Sequence, residues 1–209
     1  MILGTAYGVV LNDGDERGAL DAAFSRPPYN APPIAPVVYI KPRNCFRFGD
    51  AAVAIPAEVG EVALGSTIAL LFGRDCQAGD APLPTIAGAC LALDLSAAET
   101  DYYRPAISQR CRDGFLPLGQ MTPFEPEAGP IIIETAIDGR VAHRWSTARL
   151  VRPIERLIAD LASFMTLCAG DLLLVGLPGD AVRGRAGATI DVSATGDFPR
   201  LRTRLVAEA

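Results

Sequence analysis

The chain has 209 residues, half of them apolar and about a fifth charged, enough for one large domain with a sizeable core. Its net charge of -5 excludes the clustered excess of Lys and Arg that a nucleic-acid partner requires. Twenty glycines and 17 prolines exclude a helical bundle and point to many turns and short strands.

The five cysteines are odd in number and none pairs as Cys-x-x-Cys. With a single histidine beside them, no structural zinc site is expected, and reduced thiols in a cytoplasmic protein are. The N-terminal apolar run lacks a basic leader region and soon meets Asp13, Asp15 and Glu16, so it does not read as a signal peptide. Asp94 and Asp171 interrupt the best apolar runs, so no membrane span is predicted.

In chain order, residues 2–11 read as a strand, and Asp13 to Asp15 as a turn in which Asp15 caps a short helix running to Phe24. The Pro-rich stretch from Pro27 to Pro33 is an ordered connection rather than a linker, and Val37 to Lys41 forms a strand. Thr67 to Phe72 and Ile86 to Leu93 are apolar runs of strand length, suited to burial on both faces. Pro130 to Ile137 and Arg140 to Trp145 flank Asp138-Gly139, which predicts a type I′ hairpin.

Leu150, Val151, Ile154, Leu157, Ile158, Leu161, Phe164 and Met165 share one helical stripe. Either Ser146 or Thr147 caps that helix with Pro153 kinking it, or the helix starts near Arg152 with Pro153 in its first turn. Leu172 to Gly176 and Ala188 to Ala194 supply late strands, and Arg183-Gly-Arg185 reads as a small basic loop. The sum is an α+β, β-rich fold. One domain over 1–209 is expected, with residues 1–50 as an appendage packed on it.

The segment from Asp94 to Gly119 concentrates charge in an otherwise apolar chain. An apolar strand ends in Asp94, and a loop carrying Arg104, Arg110 and Arg112 closes on Asp113-Gly114-Phe115. A carboxylate at a strand end near several arginines suits a metal and a carboxylate substrate, and it also suits a solvated loop with ordinary ion pairs. His143, on the hairpin, reads more readily as an exposed or hydrogen-bonded strand residue than as a catalyst.

Several stretches resemble the fumarylacetoacetate hydrolase family. They include Tyr39-Ile-Lys-Pro-Arg-Asn44, Thr67-Ile-Ala-Leu-Leu-Phe-Gly73, Ile86 to Asp94, Tyr102-Tyr-Arg-Pro-Ala-Ile107, Cys111-Arg-Asp-Gly-Phe115 and Phe164 to Asp171. The resemblance implies a mixed β-sandwich and β-roll with a few short helices. It further implies an isomerase/decarboxylase acting by enolate stabilisation on a 2-oxo or 2-hydroxydienoic polycarboxylate of aromatic catabolism, of the 4-hydroxyphenylacetate type. A catalytically degenerate partner subunit, or a binding protein for anionic metabolites, is the alternative reading.

The family's Mg2+ or Mn2+ would be held by Asp94, but the two glutamates expected on the preceding strand are here Gly65 and Thr67. Glu61 lies more than about 10 Å from Gly65 along an extended strand, too far to replace them. The resemblance therefore leaves open that this chain holds no metal. Asp94 and Arg110 are the implied catalytic residues, and Arg104, Arg112 and Tyr103 the implied substrate-binding ones. Arg110 replaces a family lysine and keeps its charge without being able to transfer protons. The family's lid segment corresponds to residues 12–20, with Asp13, Asp15 and Glu16 but no histidine, and Leu177 stands where relatives carry a hydroxyl. The implied partners are a small anionic carboxylate and either a second copy or a homologous sister chain.

Overall fold

The structure, a computed structural model, describes residues 4–98, 106–126 and 129–208. Two sheets carry it. The larger has eight strands: β1 (Ala6–Val10), β2 (Val37–Lys41), β3 (Phe46–Phe48), β5 (Glu61–Phe72), β6 (Ile86–Ser96), β7 (Leu116–Leu118), β10 (Leu172–Leu174) and β11 (Arg183–Arg185). The smaller has five: β4 (Val53–Ile55), β8 (Ile132–Ile137), β9 (Arg140–Ser146), β12 (Thr189–Ala194) and β13 (Leu201–Ala207). Four short helices complete the described residues: α1 (Gly14–Ala19), α2 (Asp21–Phe24), α3 (Ile107–Arg110) and α4 (Ile154–Ala162). The β-rich α+β architecture is the expected one.

The larger sheet runs β2-β1-β10-β5-β6-β7-β3, with β11 also on β5. At its centre β5 and β6 pair antiparallel with Gly65 opposite Asp94. Alternation along these two strands divides their side chains between two cores. Leu64, Ile68, Leu70, Leu91, Leu93 and Leu95 enter the main core, shared with the smaller sheet and α4. Ala69, Cys90 and Ala92 face the other way, among Ala6, Leu116 and Leu172. Small residues line that face, and the Tyr39 and Lys41 side chains of β2 reach across to Asp94 and Leu95 of β6.

The two sheets are joined by polar bonds as well as by packing. Ser66 and Thr135 share a hydroxyl hydrogen bond of 2.6 Å, and the Trp145 indole donates to the Ser66 carbonyl at 2.8 Å. Among the described residues no helix is long and apolar enough to cross a membrane. All five cysteines are free thiols, with Cys45, Cys76 and Cys90 buried and Cys168 exposed.

Several expectations are met by particular elements. β2 has the predicted bounds, and Asp138 and Gly139 both take positive φ, as a type I′ hairpin requires. β5 and β6 extend beyond the predicted runs at their polar ends. Pro153 directly precedes α4, so it starts the helix rather than kinking it, and Ser146 caps the short 3-10 turn Thr147–Arg149 instead.

Two readings are corrected. Asp13, not Asp15, caps α1: its backbone is extended, and its carboxylate accepts from the Asp15 N–H. Arg183 to Arg185 is strand β11, because the β5 edge offers it a backbone ladder.

Candidate active site

β10 and β11 pair with the same edge of β5, at Ala69–Leu71 and Glu61–Ala63 respectively. Between them the chain from Val175 to Val182 bows away, bonded to β5 at Ile68 and Leu64. The Thr67 hydroxyl bridges the gap by donating to the Gly176 carbonyl at 2.6 Å. The bow opens a cleft of about 180 Å³ whose walls include Glu16, Gly65, Asp94, Arg110, Leu177 and Arg183.

Asp94 lies on the floor of this cleft, almost wholly buried. Its Oδ1 is 2.6 Å from the Nζ of Lys41, a lysine with no exposed surface. The same ammonium donates to the carbonyls of Leu95 (2.7 Å), Arg110 (2.6 Å) and Phe115 (3.0 Å). The second carboxylate oxygen accepts from the Tyr39 hydroxyl and lies 3.6 Å from Arg110 Nη1. The Tyr39 ring can lie across β1 because its register partner is Gly8, where a Cβ would collide with the phenol ring.

Arg110 ends α3, with its guanidinium stacked 4.5 Å from the centre of the Tyr39 ring. Its side chain is 8% exposed, and it lines the cleft. Glu16 of α1 also lines the cleft, against Gly179. Lys41 cancels the charge of Asp94, which leaves Arg110 and Arg183 against Glu16 and a net excess of positive charge. An anionic ligand fits that balance.

Residues 5–206 match the family described as "Fumarylacetoacetate (FAA) hydrolase C-terminal". The chain belongs to the fumarylacetoacetate hydrolase family. It is 41% identical over 208 residues to a 4-hydroxyphenylacetate degradation bifunctional isomerase/decarboxylase of Salmonella dublin, a match that covers 98% of this chain and 48% of that protein. The chain thus spans about half the length of the curated relatives it matches.

Among solved structures, a 5-carboxymethyl-2-hydroxymuconate delta-isomerase from Mycobacterium smegmatis superposes with a TM-score of 0.82 at 22% identity, covering 100% of this chain and 78% of that one. A fumarylpyruvate hydrolase from Pseudomonas aeruginosa, in complex with Mn2+ and pyruvate, superposes at 0.81 with 19% identity, covering 99% and 91%. At those identities the likeness is one of fold.

The described residues do not fit a divalent metal. They contain no group of three or more His, Cys, Asp or Glu placed to hold one. The Asp94 carboxylate is already engaged by an ammonium, a phenol and a guanidinium, and the Thr67 hydroxyl by a carbonyl. A Cβ at Gly65 would lie 2.9 Å from the Asp94 carbonyl and 3.0 Å from a Leu177 methyl, so Leu177 fills the space that a longer side chain would need.

Of the residues singled out in the sequence, Asp94 and Arg110 are brought together. Arg112 points away and pairs with Glu58 at 3.0 Å. Arg104 and Tyr103 lie outside the described residues. His143 is outside the cleft, with its Nε2 3.1 Å from Asp180 Oδ1. Asp113 accepts from the Asn44 amide at 2.7 Å in a turn.

Sequence reasoning gave no role to Lys41 or Tyr39, although both stand in a quoted stretch. The alternation of β2, which turns Tyr39 and Lys41 inward and Ile40 outward, was the available signal.

Proposed function

We propose that this chain is an isomerase/decarboxylase domain acting on a 2-oxo or 2-hydroxydienoic polycarboxylate of 4-hydroxyphenylacetate-type aromatic catabolism. The observation that carries the reading is the presence, in one cleft, of a fixed cation with no proton to give and of a carboxylate, Glu16, in its lining. The 41% identity to an isomerase/decarboxylase over nearly the whole chain supports it.

Arg110 offers a forked donor to a substrate carboxylate or to the enolate oxygen. Glu16 accepts the 2-hydroxyl proton of a 2-hydroxydienoate, or the proton of the sp3 carbon next to the unsaturated 2-oxo system. The electron pair of the broken O–H or C–H bond enters the conjugated system, and the negative charge settles on the oxygen facing Arg110. Delivery of that proton to a carbon that did not carry it completes the isomerisation. In decarboxylation the electrons of the broken C–C bond enter the same system as CO2 leaves, so one electrostatic device serves both reactions. No step is assigned to a metal.

The unit is proposed to work beside a second domain of its own size, as a second copy or a homologous sister chain, because the matching relatives are about twice its length.

The test is tautomerisation of 5-carboxymethyl-2-hydroxymuconate followed by its absorbance. Arg110→Met should lower kcat/KM by about 10²–10³, the usual cost of one oxyanion donor. Addition of EDTA should leave turnover unchanged. An Arg110→Met variant of full activity would end this assignment, and activity lost to EDTA and restored by Mn2+ would return a metal to Asp94.

A further inference from the structure

α1 carries Glu16 to the cleft but buries none of its side chains. A second cavity, of about 340 Å³, lies against Asp15, Glu16, Ala19 and Leu20 and shares Glu16 and Gly179 with the cleft. With open space beside it and Leu20, at its C-cap, as its apolar contact with the Val10, Leu11 and Phe24 cluster, α1 is held only weakly by packing. Arg17 gives it a single bond, to the Pro33 carbonyl at 3.2 Å.

Charge holds it instead. Asp13, wholly buried at the start of α1, accepts from the Arg149 guanidinium on both carboxylate oxygens. Its remaining acceptor sites take the N–H of Asp15 (3.1 Å) and of Gly179 (2.8 Å). Arg149 also donates to both oxygens of Asp180, at 3.0 and 3.3 Å, and lies 3.1 Å from Asp15. His143 approaches Asp180 from β9. One guanidinium thereby ties the helix start to the bowed segment over the cleft. At the far side of that tie Glu16 packs so closely on Gly179 that any Cβ there would collide with it.

We infer that Arg149 is a positioning residue: by clamping Asp13 to the Gly179–Asp180 segment it fixes Glu16 at the wall of the cleft. Arg149 touches neither the cleft nor its ligand and acts only through the helix it anchors. The role given to Glu16 rests on the proposed reaction, but the clamp does not.

The test uses the full chain with Arg149→Met and Arg149→Lys, read by amide hydrogen exchange and by steady-state kinetics on the same muconate. Arg149→Met should speed exchange across residues 14–19 about tenfold or more while β5 and β6 keep their protection. It should lower kcat about tenfold to a hundredfold, as misplacement of a reacting group does, with KM within about twofold. Lysine should restore part of kcat, since an ammonium keeps the charge but not the fork. If Arg149→Met fails to fold, Asp180→Asn, at an exposed carboxylate, should give a smaller change of the same sign. Unaltered exchange at 14–19, or a KM effect without a kcat effect, overturns the inference. A wild-type chain without turnover ends the proposed reaction, while the exchange measurement still decides the clamp.

Discussion

At the scale of residues, the buried Lys41–Asp94 pair is where this chain departs from a metal-binding plan. Each charge is costly to bury alone, and the arrangement is tolerable because the ammonium gives its three protons to three carbonyls while its charge lies 2.6 Å from the carboxylate. Lys41→Met removes one partner and leaves a carboxylate and three carbonyls without it. The expected cost is about 3–5 kcal/mol, read as a lowered urea midpoint. Lys41→Met with Asp94→Leu should recover part of that loss, because no buried charge remains. A single variant as stable as the wild type would show that the pair is not desolvated. Asp94 and Arg110 are legible in the sequence because an acid ending an apolar strand and an arginine run stand out in a charge-poor chain. Lys41 is only partly so: the alternation of β2 marks it, but a lysine before proline reads as solvated, and the carbonyls it donates to lie 54 to 74 positions away.

At the scale of elements, long strands and a tight hairpin are legible because alternation, length and Asp-Gly turn chemistry are local. Of the three-residue strands, β10 is marked by its leucine run, whereas β3, β4, β7 and β11 have no local signature and exist through their ladders. β13, a strand not predicted from the sequence, does alternate, with Leu201, Thr203 and Leu205 inward and Arg202 and Arg204 outward, so a local signal was present there. α1 is the least legible element, since its place is set by Arg149, which lies far along the chain. Its clamp has a pH signature. Burial works to raise the pKa of Asp180, but hydrogen bonds from Arg149 and His143 outweigh that and hold it below the ordinary carboxylate value. A depressed folded pKa means that the stabilisation is complete above about pH 4 and is lost as the pH falls through the folded value. Asp180 is largely exposed, so its share is at most about 1 kcal/mol. Asp180→Asn should therefore lower Tm by about 2–4 °C at pH 6 and by much less at pH 3. An equal difference at both pH values would remove Asp180 from the clamp.

At the scale of the whole molecule, the main core draws on both sheets and on α4, and Trp145, the single tryptophan, sits in it with its indole bonded across to β5. The first fifty residues take part through β1, which lies between β2 and β10 inside the larger sheet. Neither sheet can open without exposing apolar surface that the other covers, so unfolding should be a single cooperative event. Tryptophan fluorescence reports the contact between sheets, and far-ultraviolet circular dichroism reports all strands at once. The two should give one urea midpoint, and separated midpoints would divide the chain into independently folding parts. The same titration at two protein concentrations bears on association. A chain that folds as a free monomer keeps its midpoint, whereas one stabilised by a second copy shifts upward with concentration, because binding to the native state alone adds to its stability. A midpoint independent of concentration would leave a homologous sister chain, rather than a second copy, as the proposed neighbour.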